Sequence, residues 1–255
     1  MTADGSSTAL AMPSVGLLDV HVTLEHFAIT TFAVSPEAMA RHLAPGFEPE
    51  VFQLAAGPRA FVSAVTFLDS RFRFRLLPWP RFSFGQTNYR AYVLRRGQRA
   101  AWFFGTSLDS LFVHVPRLVW QMPWHRARMR FDVTYDGDRC RRYRLETTGA
   151  GAAAELDLEG SGEPTGALDG FRDAAETAQV LTAPTEGYFA RRGGRSSHYA
   201  IWHAPLVMQR ARAHAARFQL FEDLGLIEPG AAPHSVLVQR ATDYAIYLPP
   251  RLVID

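Results

Sequence analysis

The chain is dominated by short runs of β-branched, aromatic and small apolar side chains cut by turn signals at hairpin spacing, and this pattern constrains the fold more than any other feature. The runs fall at residues 24–34, 60–67, 84–94, 100–107, 126–135, 140–147, 186–191, 196–203 and 236–248. Asp136-Gly137-Asp138 and Arg192-Gly193-Gly194 suit tight turns, because Gly and Asp reach left-handed backbone conformations at little cost. Strands joined so closely pair antiparallel, which predicts a mostly β (α+β), antiparallel, barrel-like domain with a few short helices.

The first helix is well signalled. Ser35 is a good N-cap, Pro36 fits the first helical position, Glu37 suits the positive end of the dipole, and Pro45-Gly46 stops the helix, which is expected to run to about residue 43. Further helical interruptions are expected at 108–118, 168–179 and 208–224, although the last carries Phe218 and Phe221 and could contain a strand. Residues 1–18 are small and polar and are expected to form a disordered tail, leaving 19–255 as one domain. The patch at 148–154 formally fits Gly-x-Gly-x-x-Ala, but no helix is expected after it, so it reads as a hairpin loop rather than a dinucleotide site.

Composition narrows the partners. With 47% hydrophobic residues in 255, the chain can bury a substantial core. A formal net charge of +2 gives no nucleic-acid signature, and a small anionic ligand is the easier partner to accommodate. Arg71-Phe-Arg-Phe-Arg75 alternates basic and aromatic residues. It could contact single-stranded nucleic acid, but as an isolated segment it reads better as a solvated strand face or a homo-oligomer contact, and the following Leu77-Pro-Trp-Pro80 as a loop over a pocket mouth. The single cysteine, Cys140, excludes an intramolecular disulfide and points to a reducing, cytoplasmic setting. No signal peptide or membrane-spanning run is read. All 27 basic residues are arginine, so no side chain can form a Schiff base.

Several phrases occur in order: Phe32-Ala-Val-Ser-Pro-Glu-Ala-Met-Ala-Arg-His-Leu-Ala-Pro-Gly-Phe47, Asn88-Tyr-Arg-Ala-Tyr-Val93, Ala101-Trp-Phe-Phe104 through Asp109, Met122-Pro123 and His203-Ala-Pro205. Together they resemble the uncharacterised YqjF-like family (DUF2071), which is similar in fold to acetoacetate decarboxylase. That enzyme family works through a lysine Schiff base in a Phe-Pro-Lys-Lys-x-Ala phrase. The phrase that looks equivalent here is Met122-Pro123-Trp124-His125-Arg126-Ala127, which places Trp124 where the reactive lysine would stand and His125 at its neighbour. The position of the family's glutamate falls near Gln86 to Asn88. The resemblance therefore implies the pocket but not the decarboxylase mechanism.

Within the resemblance, strand alternation puts Asn88, Arg90 and Tyr92 on one face. An arginine in so apolar a run either pairs with a carboxylate such as Asp69 or Asp109, or clamps a substrate carboxylate, with Asn88 and Tyr92 adding hydrogen bonds. His125 is the leading general acid or base, since its pKa lies near neutrality, and Trp124 becomes a pocket wall able to stack on a flat ligand. Glu186 could orient a histidine or pair with Arg90, and His203 is a second candidate for the pocket. His198 and His203 are five apart, as are His21 and His26, so neither pair converges on a metal from a regular strand, and neither metal nor cofactor is expected. These features predict a cofactor-independent enzyme of the lyase or isomerase type, acting on a carboxylated or enolisable substrate by acid–base catalysis. The competing expectation is a non-catalytic ligand-binding protein of the same fold.

Overall fold

The computed structural model describes residues 19–74, 82–182 and 185–253. The expected tail at 1–18 and the Leu77-Pro-Trp-Pro80 loop lie outside the described residues, as do the side chains of the Arg71-Phe-Arg-Phe-Arg75 alternation. The strands are β1 (Val20–Val34), β2 (Glu48–Pro49), β3 (Val51–Leu54), β4 (Gly57–Phe74), β5 (Phe82–Arg95), β6 (Gln98–Leu108), β7 (Trp124–Arg126) and β8 (Arg128–Asp136). They continue with β9 (Arg139–Thr148), β10 (Ala154–Pro164), β11 (Glu186–Ala190), β12 (Ser196–His203), β13 (Gln209–Phe218), β14 (Ser235–Ile246) and β15 (Arg251–Leu252). Among the described residues four α-helices interrupt them, α1 (Pro36–Ala40), α2 (His114–Val119), α3 (Ala174–Thr182) and α4 (Gln219–Asp223), and a 3-10 turn at Leu111–Val113 leads into α2.

All fifteen strands join one large curved sheet. Its path runs β12-β11-β6-β5-β4-β1-β14, and Ile201–His203 of β12 pair with Tyr244–Ile246 of β14, so these strands return on themselves in a ring. From β14 the sheet continues through β13, β10, β9 and β8. The two larger of three buried apolar clusters among the described residues follow from this path. The interior of the ring packs Val20, Val22, Leu24, Phe27, Val65, Phe67 and Phe84. The second core joins the other face of β1, β4 and β5, through Ala28, Ala64 and Tyr89, to Tyr143, Leu145, Leu156, Leu158 and Phe218 from the extension. Alternation along β5 divides its residues between the two: Tyr89, Ala91 and Val93 enter the second core, while Arg90 and Tyr92 face inward.

Most pairings are antiparallel as expected, but β6 pairs in parallel with β7 and with β11. Helix α1 carries the expected cap, with Ser35 Oγ accepting from the Ala38 N–H at 3.1 Å, and it ends at Ala40, short of residue 43. The hairpin reading of 148–154 holds, since β9 and β10 flank it. The helical expectation at 208–224 is corrected. Residues 209–218 form β13, paired with β10, and only Gln219–Asp223 are helical, because pairing with β10 and β14 overrides the helix preference of an Ala- and Arg-rich segment. Among the described residues, no helix is long and apolar enough to cross a membrane.

The bulge in β1 between Glu25 and Ala28 places His26 at φ 53°, a left-handed conformation that a non-glycine residue adopts only when held there. Part of that hold is Tyr143, fully buried, whose hydroxyl donates to His26 O at 2.9 Å and lies 2.8 Å from Thr66 Oγ1. Tyr143→Phe strips the partly buried carbonyl of this donor and leaves Thr66 Oγ1 without its phenol partner, and chemical denaturation should show a loss of about 1–3 kcal/mol.

Candidate functional site

Register fixes the polar wall of the ring interior. Along the β4–β5 ladder, Asp69 faces Phe84, Phe67 faces Gln86, Val65 faces Asn88 and Ser63 faces Arg90, so one inward face carries Asp69, Gln86, Asn88 and Arg90 in sequence. These four side chains line a cavity of about 90 Å³. The remaining lining is apolar. Val20, Val22 and Leu24 come from β1, Phe103 from β6, Tyr199 and Ile201 from β12, and Tyr244 and Ile246 from β14. Phe112, Pro116, Trp120, Met122 and Trp124 complete it from the α2 and β7 side.

Arg90 is 7% exposed. Its Nη2 donates to Leu181 O at 2.7 Å and to the Tyr92 hydroxyl at 3.2 Å, while its Nε is buried without a partner. Leu181 lies in the last turn of α3, where carbonyls have no intrahelical donor and carry the negative end of the dipole, so a guanidinium is a favourable cap. Among the described residues no carboxylate forms an ion pair with Arg90, neither Asp69 nor Asp109. Asp109 Oδ2 accepts instead from the Met129 N–H. The buried guanidinium thus has no carboxylate partner among the described residues, and its Nε–H is unpartnered.

Tyr92 stands behind Arg90 rather than in the cavity lining. Its hydroxyl accepts from Arg90, donates to Leu181 O at 3.3 Å and meets Ser63 Oγ at 2.9 Å. Asn88 Oδ1 accepts from Gln86 Nε2 at 2.8 Å and from Thr106 Oγ1 at 2.9 Å, which leaves the amide N–H groups as what Asn88 can offer a ligand. Trp124 reaches the lining because β7 pairs in parallel with β6, setting Trp124 against Thr106.

The other expected site residues lie elsewhere. His125 follows Trp124 in the strand and so turns away from the cavity; it sits against Gly105, and burial followed by the charge of Arg117 lowers its pKa, keeping it neutral at pH 7. Glu186 pairs with His198, Oε2 to Nδ1 at 3.3 Å, beside a separate polar depression lined by Arg95, Arg99 and Tyr188. His203 stacks on Tyr244 at 4.9 Å between ring centroids, one layer behind the lining. Burial lowers its pKa, with the Ala204 carbonyl opposing and the charge of Arg90 adding to the effect.

Sequence reasoning raised Asp69 only as a partner for Arg90, and it missed Thr106, Tyr199 and Tyr244 altogether. Asp69 is 3% exposed, its Oδ2 has no hydrogen-bond partner, and desolvation raises its pKa well above the usual carboxylate range. The signal was available, because Val65, Phe67 and Asp69 alternate onto one face of a single strand. No group of three or more His, Cys, Asp or Glu side chains placed to hold a metal ion occurs among the described residues.

Residues 21–243 match the DUF2071 family, described as an uncharacterized conserved protein. No curated protein matches the chain. Acetoacetate decarboxylase from Legionella pneumophila superposes with a TM-score of 0.60 at 12% identity, covering 97% of this chain and 94% of its own. An acetoacetate decarboxylase-like enzyme from Sphingomonas wittichii RW1 reaches 0.64 at 7% identity, with 96% and 97% covered. The enduracididine biosynthesis enzyme MppR, complexed with pyruvate, reaches 0.61 at 17% identity, with 98% and 94% covered. At these identities the likeness is one of fold.

Proposed function

We propose that this chain, which belongs to the DUF2071 family and has the acetoacetate decarboxylase-like fold, binds a small carboxylic acid in its ring cavity and acts on it as a cofactor-independent lyase or isomerase. One observation carries the reading: among the described residues no carboxylate pairs with the buried guanidinium of Arg90, and its Nε–H has no partner. Leaving such a charge unpaired is costly, so a site that keeps one is suited to an anionic guest. Asn88 adds neutral donors, Tyr92 fixes the guanidinium from behind, and Trp124 with the other aromatic side chains covers a flat or unsaturated body. Without a lysine side chain to form an imine, dehydration, isomerisation, cyclisation or non-covalent decarboxylation would proceed by acid–base catalysis.

A second reading, a binding protein without chemistry, is favoured by one fact: His125 and Glu186, the side chains first assigned to proton transfer, both lie outside the lining. Calorimetry and product analysis separate the two. Keto, hydroxy and unsaturated carboxylic acids should bind at least tenfold more tightly than their primary amides, since only the acid meets the guanidinium as an anion. Equal affinities would sink the anion site. Conversion of a bound acid, with a pH profile set by ionisable groups, would mark an enzyme, and recovery of every acid unchanged would mark a carrier.

A further inference from the structure

The polar wall has two ends. Asp69 and Arg90 are separated by six positions of the β4–β5 register, about 20 Å of strand before their side chains reach toward one another. The wall between them is closed by Gln86 and Asn88, whose side chains already bond to one another, and the facing walls are almost wholly hydrocarbon and aromatic. Leu24, Phe67, Phe84 and the neutral Gln86 surround Asp69, and no cation is paired with it among the described residues. A carboxylate in such surroundings is disfavoured, whereas a carboxylic acid is tolerated and carries one O–H. Asp69 lines the cavity and its buried Oδ2 has no partner, so the acid has a hydrogen-bonding capacity that no described protein group uses and that a ligand can take up.

Resting on the reading of Arg90 as the anion site, we infer that Asp69 is a neutral hydrogen-bond donor at the opposite end of the cavity, and that the ligand is an elongated, largely apolar monocarboxylic acid bearing an uncharged acceptor such as a ketone oxygen at its far end. Arg90 holds the carboxylate, the aromatic walls hold the chain, and Asp69 holds and polarises the remote carbonyl. A short acid that meets only Arg90 leaves Asp69 unpartnered, and this selects for length. A dicarboxylic acid is rejected, because its second charge would meet either an uncharged donor or a repelling carboxylate.

The test uses the full-length protein and two matched sets of probes, ω-phenylalkanoic acids and the corresponding ω-oxo-ω-phenylalkanoic acids of increasing chain length, titrated by calorimetry. In the wild type one chain length should show the ketone binding about tenfold more tightly than its hydrocarbon match, the value of one well-made hydrogen bond. Asp69→Asn, whose amide also donates, should keep the preference; Asp69→Leu and Asp69→Val should lose it while retaining affinity for the hydrocarbon acids. Equal affinities at every length, or a ketone preference that survives both apolar variants, overturns the inference, and failure of every probe to bind overturns the ligand class. The two readings fail separately. Repeating the series with primary amides removes the interaction assigned to Arg90, and a ketone preference among the amides still reports on Asp69.

Discussion

Arg90→Met should weaken binding of a carboxylate ligand by about a hundredfold or more while leaving the fold as stable as the wild type or more so. Removing one member of a buried, hydrogen-bonded charge pair typically costs about 2–5 kcal/mol of binding, and the ligand would lose the one cationic side chain among the described residues of the cavity lining. In the free protein the balance is opposite. The guanidinium is desolvated, has no carboxylate partner among the described residues and leaves Nε unsatisfied, so an apolar side chain of similar length relieves a cost. The Leu181 carbonyl keeps the Tyr92 hydroxyl as a donor, which limits what the substitution exposes. Calorimetry with urea denaturation reads both quantities. A variant that binds normally but has lost several kcal/mol of stability would make Arg90 a structural cap on α3 and nothing more.

Asp69 should impose the opposite pH dependence from the buried histidines. Its folded-state pKa is raised, so between the unfolded value, about 3.9, and the folded one the native state holds a proton that the unfolded chain has released. Stability therefore falls as pH rises through that window, by up to about 1.4 kcal/mol per pH unit, and the contribution is fully present only below the unfolded value. His26, His125, His203 and His234 have lowered pKa values, chiefly through burial, so they add stability as pH rises toward 6.5. Glu50 is raised by burial, against the pull of Arg99, and works in the same direction as Asp69. The difference between wild type and Asp69→Asn isolates one group. Urea midpoints between pH 4 and pH 8 should show the variant gaining on the wild type as pH increases, and a difference that stays constant would mean that Asp69 titrates normally.

Much of the ring was legible from alternation. The run at 196–203 is β12 to the residue, β5 extends only a residue or two beyond its expected ends, and the face shared by Asn88 and Arg90 lies where strand parity puts it. The same parity excluded His125 from the cavity once Trp124 entered it, because successive side chains of a strand leave on opposite faces. In β13 the Ala211, Ala213 and Ala216 side chains pack on the core between more exposed Arg212 and His214, a period near two that alanine's helix preference concealed. What local pattern cannot carry is the partner of each strand. The parallel junctions of β6, the return of β12 to β14, and the distance between Asp69 and Arg90 are properties of register across the whole chain.

The place of β1 in the ring has a consequence for the order of assembly. One of its edges pairs with β4, which follows within about forty residues, while the other pairs with β14, where Val20 meets Ile246. During synthesis the first edge can close early, but the second stays open until β14 has emerged, leaving Val20, Val22 and Leu24 beside an unpaired backbone. Pairings so distant in sequence are slow to form. The cavity comes into existence only with the last long strand, and a ligand that spans it from Arg90 to Asp69 would recognise the finished molecule and no partly folded form of it.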